Sequence, residues 1–229
     1  MILEASSILI ALPIGALSWA MVYFALQRLH PSITPELSER LCALANEVGG
    51  CLLAVQHLTW PLDFARGNEP NTQWQQHMIL FFASYYLYDM SHYLFTAPQI
   101  HTSIVIRHHV VDLLSAVVGY HFQMFGYAGA VTVVVMEGPH ALDEVRRLLK
   151  MLGCREHWMY VRYALVAMVV ILFNRLVVYT YVVYGFVVLG EVHVALMVGL
   201  LAQYLLSLNM CKMYGTFLFS YWSKMMKEE

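Results

Sequence analysis

The chain has 229 residues, 60% of them hydrophobic and only 12% charged, with a formal net charge of −2. This balance excludes a soluble domain, which could not cover so much apolar area with so little polar surface, and no nucleic-acid partner is expected. At about 20 apolar residues per crossing, the length accommodates an all-α polytopic membrane protein of six or seven spans in one bundle.

Residues 2–27 form the first span, and the opening MILE lacks the basic n-region and cleavage pattern of a secretory signal peptide, so the segment reads as a retained anchor. Pro31, Pro35 and the charged run 36–40 end it. Residues 41–60 give a second span, interrupted by Asn46, Glu47 and the pair Gly49-Gly50, which predicts a polar inner face. Asp63, Arg66, Asn68, Pro70 and Asn71 then mark residues 61–76 as an aqueous connection, because such irregular backbone cannot sit in hydrocarbon. The third span, 77–95, is rich in aromatics and carries Asp89 and His92 three apart, which predicts a shared face; Pro98 closes it.

The fourth span, 104–122, opens with RHHVVDLLS (107–115). In a helix His108 and Asp112 stand one turn apart, while His109 reaches Asp112 at a spacing of three, so one carboxylate can address either imidazole. Ser115 and Gly119 extend the Asp112 face and leave room for another helix. A charge at the bilayer centre costs roughly 2.5 to 3.5 kcal/mol even on lenient insertion scales, so such a cluster is expected in a functional interior.

The fifth span runs from Phe125 into MEGPH, where Gly138 and Pro139 predict a kink or an end beside Glu137 and His140. Residues 141–152 then read as an interfacial amphipathic helix, with Asp143, Glu144, Arg146, Arg147 and Lys150 on its watery face. The sixth span lies within Trp158–Leu189; its 32 residues would make a helix of roughly 48 Å, longer than the roughly 30 Å hydrocarbon core. Near its middle Arg175 cannot shed its charge and needs a carboxylate (Asp89, Asp112 or Glu137) or a lipid headgroup. A seventh span, 193–219, contains Gln203, Ser207, Asn209 and Lys212.

Seven spans place the two ends on opposite sides. Ten basic residues (Arg28, Arg40, Arg107, Arg146, Arg147, Lys150, Arg155, Arg162, Lys224 and Lys227) fall on the side of the C-terminus, against Arg66 alone on the other. The positive-inside rule therefore sets the N-terminus lumenal or external and the C-terminus cytosolic.

For His108, His109 and Asp112 three readings stand: a hydrogen-bonded pin between helices, a metal site, or acid and base chemistry in which Asp112 orients an imidazole. Asp89, His92, Glu137 and His140 could add ligands. The repeated HxxHH boxes of membrane di-iron enzymes are absent, and no metal is expected. The four cysteines form no CxxC pair and read as packing.

The ordered set YYLYDMSHY, RHHVVDLLS, MEGPHALDEVRRLLK and FNRLVVYTY resembles the TLC-domain family, the fold shared by ceramide synthases and translocating-chain-associating membrane proteins. The likeness covers about residues 38–219 and is greatest to the small TLC domain-containing proteins, which also have an Asn-Thr dipeptide, here Asn71-Thr72, before the third span. It implies an N-terminal anchor and loop (1–37), a six-helix barrel around a lipid-accessible cavity (38–219) and a short cytosolic tail (220–229). In ceramide synthases the His pair is catalytic and two aspartates follow later. Here Glu137 stands at the first aspartate's place, and the second is His140 or missing. That departure counts against sphingoid N-acylation and leaves other acyl transfer, lipid sensing or transport, or a structural use of the fold.

The leading expectation is thus a lipid-handling protein, an acyltransferase in its sharpest form, with His108 or His109 as base and Asp112 as orienter. Asp89, His92, Ser115, Glu137, His140 and Arg175 are the substrate-binding candidates. Membrane lipids are the expected partners, acyl-CoA is the candidate donor, and no resident cofactor is expected. The rival expectation is a non-catalytic accessory subunit bound to other proteins within the bilayer. The expected location is the endoplasmic reticulum or an energy-converting membrane such as the mitochondrial inner membrane.

Overall fold

The computed structural model describes residues 5–96, 103–190 and 192–228; the opening MILE and the expected stop at Pro98 lie outside the described residues. Seven long helices are described and no β-strand: α1 (Ala5–Leu29), α2 (Pro35–Val55), α3 (Gln73–Thr96), α4 (Ser103–His121), α5 (Gly126–Met151), α6 (Trp158–Leu189) and α7 (Val194–Glu228). Helix α6 includes two π-helical stretches, Asn174–Val178 and Gly185–Leu189.

Six helices close into a ring in the order α2, α3, α4, α7, α6, α5 and back to α2, with α2 on α5 the most extensive pairing. Helix α1 lies outside, mainly on α3, where Trp19 meets Phe81 and Tyr85 edge-on. Among the described residues three helices are long and apolar enough to cross a membrane: α1 over Ile8–Leu29, all of α6, and α7 over Val194–Ser223. Helices α2 to α5 run to 21, 24, 19 and 26 residues. They hold most of the buried ionisable groups, and those groups dilute their apolar character.

Local sequence explains where the helices begin. Thr34 caps α2, its hydroxyl accepting from the Leu37 N–H at 3.2 Å with Pro35 in the first turn. Thr72 and Gln75 form a capping box for α3: the Thr72 hydroxyl accepts from the Gln75 N–H at 3.2 Å, and Gln75 Oε1 accepts from the Thr72 N–H at 2.8 Å. Asn71, just before it, ties this helix to the turn between α4 and α5. Its Oδ1 accepts from the Gly126 N–H at 2.6 Å, and its Nδ2 donates to the Gly119 carbonyl at 3.1 Å. A Cβ on Gly126 would stand 2.7 Å from Asn71 Oδ1, so glycine is required there.

Two expectations are corrected. Pro139 does not end the fifth helix; α5 runs unbroken from Gly126 to Met151. Proline removes one ladder donor, but α2 grips α5 on both sides of it, through Cys51 Sγ on the Val133 carbonyl before it and through Glu47 on His140 and Arg40 on Glu144 after it. Most of the charged face of 141–152 does not look to water either: Asp143, Glu144 and Arg146 are buried, and Lys150 at its end is exposed. Asp143 pairs with Arg146 at 2.6 Å and Arg147 at 2.9 Å, and Glu144 pairs with Arg40 at 3.3 Å.

The segment between α2 and α3 packs onto the end of the barrel. Asp63 caps the short turn Phe64–Asn68, whose buried Phe64 meets Phe186 edge-on. Arg66 lies over the Tyr127 ring, and its hydrogen bond to Glu69 at 2.8 Å raises its pKa above the ordinary guanidinium value.

Replacing Asn71 by Ala leaves the buried Gly126 N–H without its acceptor and the Gly119 carbonyl with only the Met124 N–H, at an expected cost of about 1–3 kcal/mol. Thermal unfolding in detergent measures it, and Asn71→Asp, which keeps the acceptor for Gly126, recovers part of the loss.

Candidate functional site

Two cavities among the described residues of the ring share a polar wall. The larger, about 330 Å³, runs between α3, α4, α5 and α7. Ile79, Phe82, Val111, Val133, Met136 and Leu196 give it apolar sides, and it reaches the outer surface between α4 and α7, where Leu114 and Val198 line it while exposed. Gly199 brings α7 close to α4 here, since a Cβ on it would stand 3.3 Å from Ser115 Oγ. Ser115 therefore acts as expected, whereas buried Gly119 packs against the turn after α4.

At the inner end lie His108, Asp112, Glu137 and Gln203. His108 Nδ1 is 3.1 Å from Asp112 Oδ2, an ion-pair distance bent out of hydrogen-bond alignment. Its Nε2 is 3.7 Å from Glu137 Oε1. The other oxygen of Asp112 accepts from Gln203 Nε2 at 2.7 Å, and Gln203 Oε1 accepts from the Tyr179 hydroxyl at 3.2 Å. A relay thus passes from α6 through α7 and α4 to α5, with His108 between two carboxylates. Gln203 and Tyr179 were not site candidates from sequence. Their signal was an amide and a tyrosine in apolar helices, which any interhelical hydrogen bond would equally explain.

His109 departs from expectation. Instead of sharing Asp112 it turns to α3, its Nε2 lying 3.0 Å from Asp89 Oδ2. Adjacent positions on a helix point about 100° apart, so one imidazole reaches each neighbouring helix. Asp89 and His92 also separate: Asp89 is buried inside the ring, while His92 meets Tyr23 of α1 edge-on with ring centroids 4.8 Å apart.

The smaller cavity, about 60 Å³, is lined by Glu47, Asp89, His108, His109, Glu137 and His140, among others. His140 Nδ1 lies 2.6 Å from Glu47 Oε1. His108 and Glu137 border both cavities.

Arg175 is fully buried as expected, but its partners are not carboxylates. Nη1 donates to Ser207 Oγ at 3.3 Å and lies 3.5 Å from Met210 Sδ, the guanidinium stands over Tyr214, and Nε and Nη2 have no hydrogen-bond partner. The π-helical stretch that contains it shifts its direction from that of a regular helix. Arg175 borders neither cavity.

The family model for the TLC domain matches residues 46–226. The chain belongs to the TLC-domain family. With its apolar helices, this makes it an integral membrane protein. No match was found among curated proteins or among solved structures.

Arg40 and Arg175, both buried, should respond oppositely to replacement. Arg40→Leu strips a cation from buried Glu39 and Glu144 and should cost on the order of 3–5 kcal/mol. Arg175→Leu removes no ion pair of 4 Å or less among the described residues, and should leave the unfolding midpoint in detergent nearly unchanged or raised.

Proposed function

We propose that this TLC-domain protein handles lipids within the membrane, and that its large cavity takes an acyl chain from the bilayer and presents it to His108. One observation carries the reading: an apolar cavity open to the outer surface between α4 and α7 ends at a His–Asp pair. Burial of each methylene contributes about 0.8 kcal/mol in water-to-apolar transfer, so such walls hold a chain without a specific polar contact. The polar end then orients the headgroup.

The reaction best suited to this arrangement is acyl transfer to a hydroxyl or amine. His108 Nε2 takes the acceptor's proton as its oxygen or nitrogen attacks the acyl carbonyl, and Asp112 holds the imidazolium that forms. With a thioester donor such as acyl-CoA, the C–S bond breaks and the thiolate leaves, taking up the proton carried by the imidazolium. Gln203 positions Asp112, and the acceptor would reach His108 Nε2 from the cavity, beside Glu137 Oε1 3.7 Å away. His109 is committed to Asp89 and is not the base in this scheme.

Asp112→Asn nearly preserves shape but removes the charge, so product lipid should fall by about 10²–10⁴-fold while the protein still folds. Lipid profiles of cells that carry the variant measure this. Unchanged profiles, with the protein recovered stoichiometrically in a large assembly, would replace catalysis by the accessory-subunit reading.

All seven helices cross the bilayer in this scheme, with the N-terminus lumenal or external and the C-terminus cytosolic. A tag after Glu229 should be accessible from the cytosol, and one before Met1 only after the membrane is opened. Both tags on one side would refute the seven-span arrangement.

A further inference from the structure

The barrel holds more buried carboxylates than its cations satisfy. Arg40 and Arg147, which line the smaller cavity, are engaged by Glu39, Asp143 and Glu144. That leaves Glu47, Asp89, Asp112 and Glu137, all buried, facing only the imidazoles of His108, His109 and His140 at ion-pair distance among the described residues. Buried charge without a counter-charge is costly, and in proteins it is met by pairing, by neutralisation or by a metal ion.

Three of these groups point at one spot. Glu137 and His140 lie three apart on α5, which sets them on one face, and Glu47 approaches from α2. Their donor atoms all lie within 4.8 Å of one another. Zinc bonds to histidine and carboxylate of about 2.0–2.2 Å span such a triangle after only small side-chain shifts. A Glu-x-x-His pair on one helix with a Glu from another is also a recurrent ligand arrangement inside helical bundles.

Two further observations point to a cation. Glu47 Oε2 and Asn46 Oδ1, on buried residues that line the smaller cavity, have no hydrogen-bond partner, so its wall carries acceptors without donors. The cavity, about 60 Å³, exceeds the roughly 10–15 Å³ that one water requires, so an ion can keep a water ligand there. The HxxHH boxes that would have signalled a metal in sequence are not needed, because two helices far apart in the chain supply the donors.

We propose that Glu47, Glu137 and His140 form a binding site for one divalent transition-metal ion of the zinc class. Mixed imidazole and carboxylate donors favour that class over calcium or magnesium. The proposal does not rest on the acyl-transfer reading, since Asp112 is not a ligand.

The test uses the full chain in mild detergent, loaded with zinc, desalted and assayed for metal content and for thermal unfolding before and after chelation. Wild type should retain about one zinc per chain, with a midpoint that drops on chelation and returns with zinc. Asp112→Asn should behave alike. Glu47→Gln should lose zinc at least tenfold and show no zinc-dependent midpoint. His140→Gln, which keeps a hydrogen-bonding amide against Glu47 but removes the nitrogen ligand, should do the same and guards against a variant that fails to fold. Zinc retained equally in all four proteins would mean adventitious binding at exposed histidines such as His121 and His193. That result, or wild type without zinc and without a midpoint change, overturns the proposal.

Discussion

The structure depends on how an apolar barrel accommodates ionisable groups that water cannot reach. Each buried carboxylate must find a cation, an imidazole or a strong donor inside the ring, because leaving one unpaired costs more than most single packing contacts return. The barrel meets this demand in two zones. Toward one end of α2 and α5, arginines balance Glu39, Asp143 and Glu144 in a tight network. Deeper in the ring, Glu47, Asp89, Asp112 and Glu137 face imidazoles instead. The first zone holds two helices together with groups that keep their charge; the second is built from residue types whose chemistry allows proton exchange or metal binding.

This division accounts for the most extensive helix pair. Helices α2 and α5 are joined by Arg40 to Glu144 and Glu47 to His140 after Pro139, and by Cys51 to the Val133 carbonyl before it. A proline that would break an isolated helix is carried through because its neighbours are fixed independently. The same cross-links turn the charged face of α5 inward. An amphipathic pattern states only that one face is polar, and a protein interior rich in opposite charge satisfies that face as well as water does.

The two cavities have different characters for a related reason. The large one is bounded mainly by apolar side chains of α3, α4, α5 and α7 and reaches the outer surface, which suits a chain drawn from lipid. The small one is bounded by acids, imidazoles and two arginines, which suits an ion or water. His108 and Glu137 stand on the wall between them, so an occupant of either cavity would alter the field felt by the other.

Much of this was legible in the sequence. The all-helical membrane class followed from hydrophobic composition, the family from ordered motifs, and the pairing of His108 with Asp112 from a spacing of four on one helix, since each depends on neighbours in the chain. In sequence Asn71 and Thr72 are a family mark, and the structure supplies their purpose, a clamp on the turn between α4 and α5 and a cap for α3. What only the tertiary structure decided were the partners across helices: His109 to Asp89, His140 to Glu47, Gln203 to Asp112, and Arg175 to Ser207 and Met210 in place of an acid. Helical periodicity says which side chains share a face of one helix. It carries no information about which helix that face will meet or at what depth, and for buried charges the free energy is set by that meeting.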